Sequence, residues 1–427
     1  MSRLEDRYGN ALTTTSRLAR DAYMEGVDML LSAEKDFDKK FEDAVALDER
    51  FALAHIALAR ARQLLGIGGD VKAPLERALA LSLGTSPREQ GHIAIFHKIL
   101  TGRGTAAIPL IVEHLSAWPR DAMALAPATS VFGLLAFSGK AGREADLLAL
   151  LESLKPAYGD DWWFLTVLAF AEIELQRHDV GMRNIDSALR GHSRNAHAAH
   201  IKSHLFYELG EREAGLSYLT EWSTDYPREG QLHCHISWHL ALWSLETGRR
   251  DQAWKIYRQA LHPSGSWGPP INVLTDCASF LLRAEIAGES VSPDHWRDVA
   301  TYASTWFPNS GVTFADMHSA LAFAKSGNTE ALQIIKESPK GPATDILVPV
   351  ALGFEAFARQ DWPRVVSEIE PVLETHERVG GSRAQRDLLE YAVTYALLRS
   401  GAKDRARQLI SRRRPQNGKN GFPLAGF

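Results

Sequence analysis

Seven of the sixteen histidines lie between His192 and His239, and their spacing is that of helix faces. His200 and His204 are four residues apart, and so are His235 and His239. An i, i+4 pair puts two imidazoles on one side of a helix. His197 extends the first set at i, i+3, i+7. Imidazole titrates near working pH and binds metals when neutral, so such a cluster suits acid–base chemistry or metal ligation. The glutamate of a HExxH motif is missing from both pairs, which weakens the metalloprotease form of that reading.

The elements that position these residues are helices arranged as repeats. Segments such as HLFYELGEREAGLSYLTEW and HLALWSLETGRRDQAWKIYRQAL each hold an apolar helix, a break and a second amphipathic helix. The breaks fall near Gly142, His178, Gly210, Gly248, Gly288, Gly327, Gln360 and Gly401, with a period of 32 to 41 residues. Tetratricopeptide repeats have a period near 34, and a left-handed glycine ends the first helix of each pair. Strand patterns are nearly absent. The expected fold is therefore all-α, a tetratricopeptide-like α-solenoid of about eleven helical hairpins with a polar concave cavity. It comprises an N-terminal segment over 1–16, one array over 17–413 and a tail over 414–427. Helix pairs are expected at 17–48, 52–84, 87–118, 121–155, 160–191, 194–225, 229–262, 271–306, 311–338, 342–376 and 381–413. Thr13 to Ser16 offer cap chemistry before the first, and Gly66, Gly68 and Gly69 break the second.

First helices of successive pairs line a common wall in such arrays. Counted back from the breaks, His200 and His239 lie ten and nine residues away, Asp276 twelve and His318 nine. These four should face one cavity. Arg283 shares a face with Asp276 and Ser279, so Asp276 would orient a histidine general base while Arg283 or Arg386 holds an anion. Histidines buried only to fix packing would each need a partner. Four-histidine metal coordination is not expected. His204 lies six residues before its break and His239 nine, an offset of three residues or about 4.5 Å of rise. No metal and no cofactor is therefore expected. Ser382 is a candidate cap for the last pair, with Gln385 and Arg386 in its first turn. Trp238 is a candidate pocket wall. Cys234, between His233 and His235, is weighed as a thiol of lowered pKa.

Composition limits the alternatives. The chain has 427 residues, 45% hydrophobic and 23% charged, with a formal net charge of −4. No basic stripe marks a nucleic-acid surface; Arg412 to Arg414 end a helix, where cations are favoured anyway. Two cysteines without CxxC spacing form no disulfide framework. No apolar leader opens the chain and no uncharged run approaches a membrane span, so a cytoplasmic location is expected. The phosphate-loop-like LGIGGD lacks its GK[ST] ending.

The segments AAHIKSH, HISWHLALWSLETGRRDQAWKIY, TDCASFLLRAEIAGESV, FADMHSALA and GGSRAQRD, in that order, resemble the tetratricopeptide repeat protein 38 family. The opening YGNALTTTSRLARDAY is similar to that family's start. The resemblance places the family motif on His200, His204, His235, Trp238, His239, Asp276, Ser279, Arg283, Asp316, His318, Gln385, Arg386 and Asp387. His197 and His233 lie outside it. It implies helical repeats with a polar signature and no particular reaction. The expected catalytic residues are His239, Asp276 and His318. The expected ligand-binding residues are His200, His204, His235, Trp238, Arg283, Asp316, Gln385 and Arg386. The expected function is binding of a small polar or anionic molecule, with turnover left open. The alternative is a protein-interaction scaffold whose partner is a protein or peptide.

Overall fold

The computed structural model describes residues 4–66, 70–309 and 311–413. Gly68, Gly69, Arg414 and the tail from Pro415 lie outside the described residues. Among the described residues are twenty-two α-helices. They run as α1 (Arg17–Leu31), α2 (Phe37–Leu47), α3 (Ala52–Leu65), α4 (Lys72–Ser82), α5 (Pro87–Leu100), α6 (Ala107–Ala117), α7 (Ala122–Thr129) and α8 (Arg143–Tyr158). Next come α9 (Trp162–Glu174), α10 (His178–Gly191), α11 (Ala196–Leu209), α12 (Arg212–Trp222), α13 (His233–Glu246), α14 (Arg250–Ile256), α15 (Pro270–Ile286) and α16 (Pro293–Trp306). The last six are α17 (Thr313–Ser326), α18 (Thr329–Glu337), α19 (Thr344–Ala358), α20 (Trp362–Ile369), α21 (Arg383–Arg399) and α22 (Lys403–Arg413). The only β-type pairing in this region is an isolated bridge between Glu5 and Ala11. No described helix is long and apolar enough to cross a membrane.

The local signals act as expected. Ser16 accepts from the Ala19 amide and caps α1, and Ser382 forms a capping box with Gln385 at the start of α21. The breaks at Gly210, Gly248, Gly288, Gly327 and Gly401 all have positive φ. Where glycine is lacking the chain still turns left-handed, at Gln176 and Gln360. The break assigned to His178 thus falls at Gln176, and His178 opens α10.

One expected pair is corrected. The span 121–155 begins with a helix of only eight residues, α7, which carries Pro127. Residues 130–142 are irregular. Turn hydrogen bonds from Gly133 to Ser130 and from Leu134 to Pro127 replace a helical ladder.

The single array expected over 17–413 gathers into two compact units. The first is Met1–Leu135, Glu144–Glu172 and Asp179–Ala198; the second is Ala136–Arg143, Ile173–His178 and Ala199–Phe427. In the first, α3 packs against α2, α4 and α5, and α6 against α5 and α7. Tyr23, Phe41 and Phe51 form an aromatic knot in its core. In the second, first helices stack in series, α13 on α15, α15 on α17 and α17 on α19, and α21 also lies on α15. That series places the polar faces of α13 and α15 in the interior of the second unit.

Candidate metal centre

The two histidine pairs meet. His200, His204, His235 and His239 each offer a ring nitrogen, and the four nitrogens lie within 4.8 Å of one another. His200 Nε2 is 2.8 Å from His204 Nε2. Ring centroids are 4.6 Å apart for His200 and His235, 4.9 Å for His204 and His239, and 5.1 Å for His235 and His239. All four side chains are buried, none more than 4% exposed.

The offset that set four-histidine coordination aside is thereby corrected. His204 lies five residues before the end of α11 at Leu209, and His239 seven before the end of α13 at Glu246. Counted from the helix ends, the offset is two residues, or about 3 Å of rise. The side chains span that gap, since the four nitrogens lie within 4.8 Å of one another.

The second layer is built on α15. Both carboxylate oxygens of Asp276 lie 2.9 Å from His235 Nδ1. That bond places the proton on Nδ1 and leaves His235 Nε2 bare, with no hydrogen-bond partner. His239 has no partner at either nitrogen. A buried polar atom left this way costs about 1–3 kcal/mol. Trp238 stacks on His235 at 5.2 Å and meets His239 edge-on at 4.9 Å, closing one side of the cluster as a wall.

Electrostatics keep two of these rings, His204 and His239, neutral. Burial pulls His204 down to about 3, with the charge of His235 adding to it. Burial also holds His239 well below the usual histidine range, helped by His204, His235 and Arg283. Lone pairs of these two rings are therefore available at neutral pH. Burial raises Asp276, opposed by His235. A tetrahedral site with 2.0–2.1 Å bonds has ligand atoms about 3.3 Å apart. The His200–His204 pair needs to open by only about half an ångström to match. The donor set fits zinc, copper, iron or nickel.

The other expected site residues fall into different roles. His318 Nδ1 donates to the Phe314 carbonyl at 2.8 Å, within its own helix, and its ring lies against Phe314. Burial lowers it to about 4. Asp276 orients a histidine, as expected, but the ring it holds is His235.

The two cations expected to grip an anion are already engaged. Arg283 donates to the Ala384 carbonyl at 2.6 Å, to Ser279 at 3.3 Å and to the Tyr207 hydroxyl at 3.4 Å. Arg386 bonds the Gly381 carbonyl and lies 3.7 Å from Glu174. Asp316 accepts the Gly311 amide at 2.9 Å, which pins the loop before α17. Gln385 accepts the Ser382 amide within the capping box. These four residues knit elements of the second unit together. Cys234 is also corrected: burial pushes its thiol well above the usual range.

Sequence reasoning passed over two groups. In the first unit, Asp121 binds Arg88 at 2.7 Å, His92 at 3.0 Å and His114 at 3.0 Å, all buried. These residues come from three elements, so no local spacing announces them. Gly91 packs closely on His114, since a Cβ there would sit 2.7 Å from its Nδ1; the group is a buried hydrogen-bonded cluster around the Arg88–Asp121 ion pair. In the second unit, His262, His295 and Asp298 also converge, with Asp298 exposed.

Helix pairs with left-handed breaks and stacked first helices define a tetratricopeptide-like α-solenoid. No protein-family model matches the sequence. Among solved structures, a tetratricopeptide repeat protein from Parabacteroides merdae is 16% identical, with 59% of this chain and 93% of that chain covered and a TM-score of 0.36. The human IFIT1 dimer solved with m7Gppp-AAAA is 12% identical, with 97% and 94% covered and a TM-score of 0.43. Both likenesses are loose, and nothing about ligand or partner is carried over from them.

Proposed function

We propose that this helical-repeat protein binds one transition-metal ion of the zinc class between α11 and α13, through His200, His204, His235 and His239. The observation that carries this reading is the convergence of four buried ring nitrogens within 4.8 Å. Asp276 behind His235 supplies the carboxylate–histidine–metal relay that metal sites use to orient a ligand. Four protein ligands fill a tetrahedral shell and leave no position for a reactive water, so the ion serves to hold structure. Such sites contribute about 10–16 kcal/mol of apparent binding energy to folding. The expected small polar ligand is thereby replaced, at this centre, by an ion. The segments resembling the tetratricopeptide repeat protein 38 family contain all four ligands, and we propose membership of that family on those residues.

The test is elemental analysis of tag-free protein, paired with cobalt substitution. One equivalent of zinc or another first-row metal is expected, lost in His239→Ala. Stripped protein given Co²⁺ should show the visible bands of a tetrahedral nitrogen site. Protein that stays metal-free on dialysis against micromolar zinc, and colourless with Co²⁺, would overturn the proposal without any variant.

A further inference from the structure

The helix that presents His235 and His239 inward has a second face. His233, Ile236, Ser237 and Leu240 follow the spacing i, i+3, i+4, i+7 and lie on the side opposite the two ligands. They line a pocket of about 560 Å³ together with the chain after α12 and the turn that follows α14. That volume lies within the range of roughly 300–1,000 Å³ usual for small-molecule sites.

The wall opposite α13 is shaped by an irregularity. Residues Tyr257–Leu261 form a π-helical turn, closed by the His262 amide on the Tyr257 carbonyl at 2.8 Å. Such turns recur at functional sites because they redirect side chains. Here Ile256, Arg258 and Ala260 all reach the pocket. Gly265 lies against this turn: a Cβ there would sit 2.9 Å from the Arg258 carbonyl, so only glycine lets the loop press in.

The lining has two chemistries. Ile236, Leu240 and Ile256 supply an aliphatic surface. Arg228 and Arg258 supply two guanidinium groups, and neither forms an ion pair with a carboxylate among the described residues. Arg228 is anchored by the Gly265 carbonyl at 2.5 Å, which fixes its direction while leaving further N–H groups to donate. Two guanidinium groups without a carboxylate partner, beside an apolar wall, match a molecule with a carboxylate head and a hydrocarbon body.

We infer that this pocket binds a small amphipathic carboxylate, at a site separate from the histidine centre and independent of its metal. The anion recognition expected from Arg283 and Arg386 is supplied here by Arg228 and Arg258.

The full chain is titrated with 1-anilinonaphthalene-8-sulfonate, a fluorescent anion with an apolar body, and decanoate and decanol are then used as competitors. One saturable site in the micromolar range is expected, displaced by decanoate and at least tenfold less well by decanol. Arg228→Ala/Arg258→Ala should weaken binding of the probe tenfold or more, with metal content and thermal unfolding unchanged. Both side chains are exposed, so the variant retains its core. Non-saturable binding, equal competition by decanol, or an unchanged affinity in the double variant would each overturn the inference. Loss of metal with retained probe binding would instead count against the metal centre alone.

Discussion

Asp276 holds Nδ1 of His235 with both carboxylate oxygens at 2.9 Å, across a sequence separation of 41 residues. The bond fixes which nitrogen of the ring faces the other three histidines. Replacing Asp276 with Asn keeps the size and removes the charge. Metal affinity is expected to fall about 10- to 100-fold, read by competition with a zinc-binding dye, while far-ultraviolet dichroism stays the same. An unchanged affinity would mean that His235 is not a ligand.

Arg386 is buried with Glu174 nearby and the Gly381 carbonyl as acceptor. Removing one partner of a buried ion pair costs about 3–5 kcal/mol, because the other charge is left uncompensated. Arg386→Ala should therefore lower unfolding stability strongly in urea titrations and leave the metal stoichiometry at its original value. A stable variant with weakened ligand binding would restore the anion-holding role.

Stability should fall on mild acidification, in part through His318. Its folded-state value of about 4 lies below the unfolded value near 6.5. Above pH 6.5 both states are neutral and the residue contributes no pH dependence. Between 6.5 and about 4 the unfolded chain binds a proton that the folded chain refuses, so stability drops by up to about 1.4 kcal/mol per pH unit. Below that window the effect saturates. His318→Gln should flatten part of this slope in urea unfolding between pH 7.5 and 5. Parallel slopes for variant and parent would show that the ring titrates normally.

Gly381 and Gly401 share a left-handed backbone, with φ of 73° and 79°. A Cβ at Gly401 meets open space, whereas at Gly381 it would sit 2.4 Å from the Phe314 ring. Gly401→Ala should cost about 1 kcal/mol from backbone strain alone. Gly381→Ala should cost several times more, because a clash with a buried ring is added. Equal losses in thermal unfolding would show that Phe314 moves aside freely.

Much of the fold was legible because its signals are local. The left-handed breaks and caps such as Ser16 and Ser382 lie within a few residues of the helices they bound. The exception, 130–142, carries an apolar pattern that looks helical. Its residues are claimed by distant neighbours instead: Leu134 lies beside Gly104, and Phe137 beside Gly380. The histidine pairs were legible as faces, but how two helices meet depends on where each one ends, which a glycine two residues beyond Glu246 does not reveal. Arg283 and Arg386 read as anion holders because their acceptors are backbone carbonyls, and every residue has one. Arg228 and Arg258 gave no signal, since their pocket is assembled by a π turn and a loop.

The Arg283 guanidinium closes on the carbonyl of Ala384, 101 residues later. Tyr207 reaches Asp387 across 180 residues, and Arg143 reaches Gly381 across 238. During synthesis, residue 384 leaves the ribosome about 5–20 s after residue 283, at roughly 5–20 residues per second. Helical hairpins form in microseconds, so the pairs through α20 are complete long before their last partner exists. The second unit therefore spends those seconds as a nascent chain with its buried arginine exposed to water. It acquires its final interior only when α21 arrives.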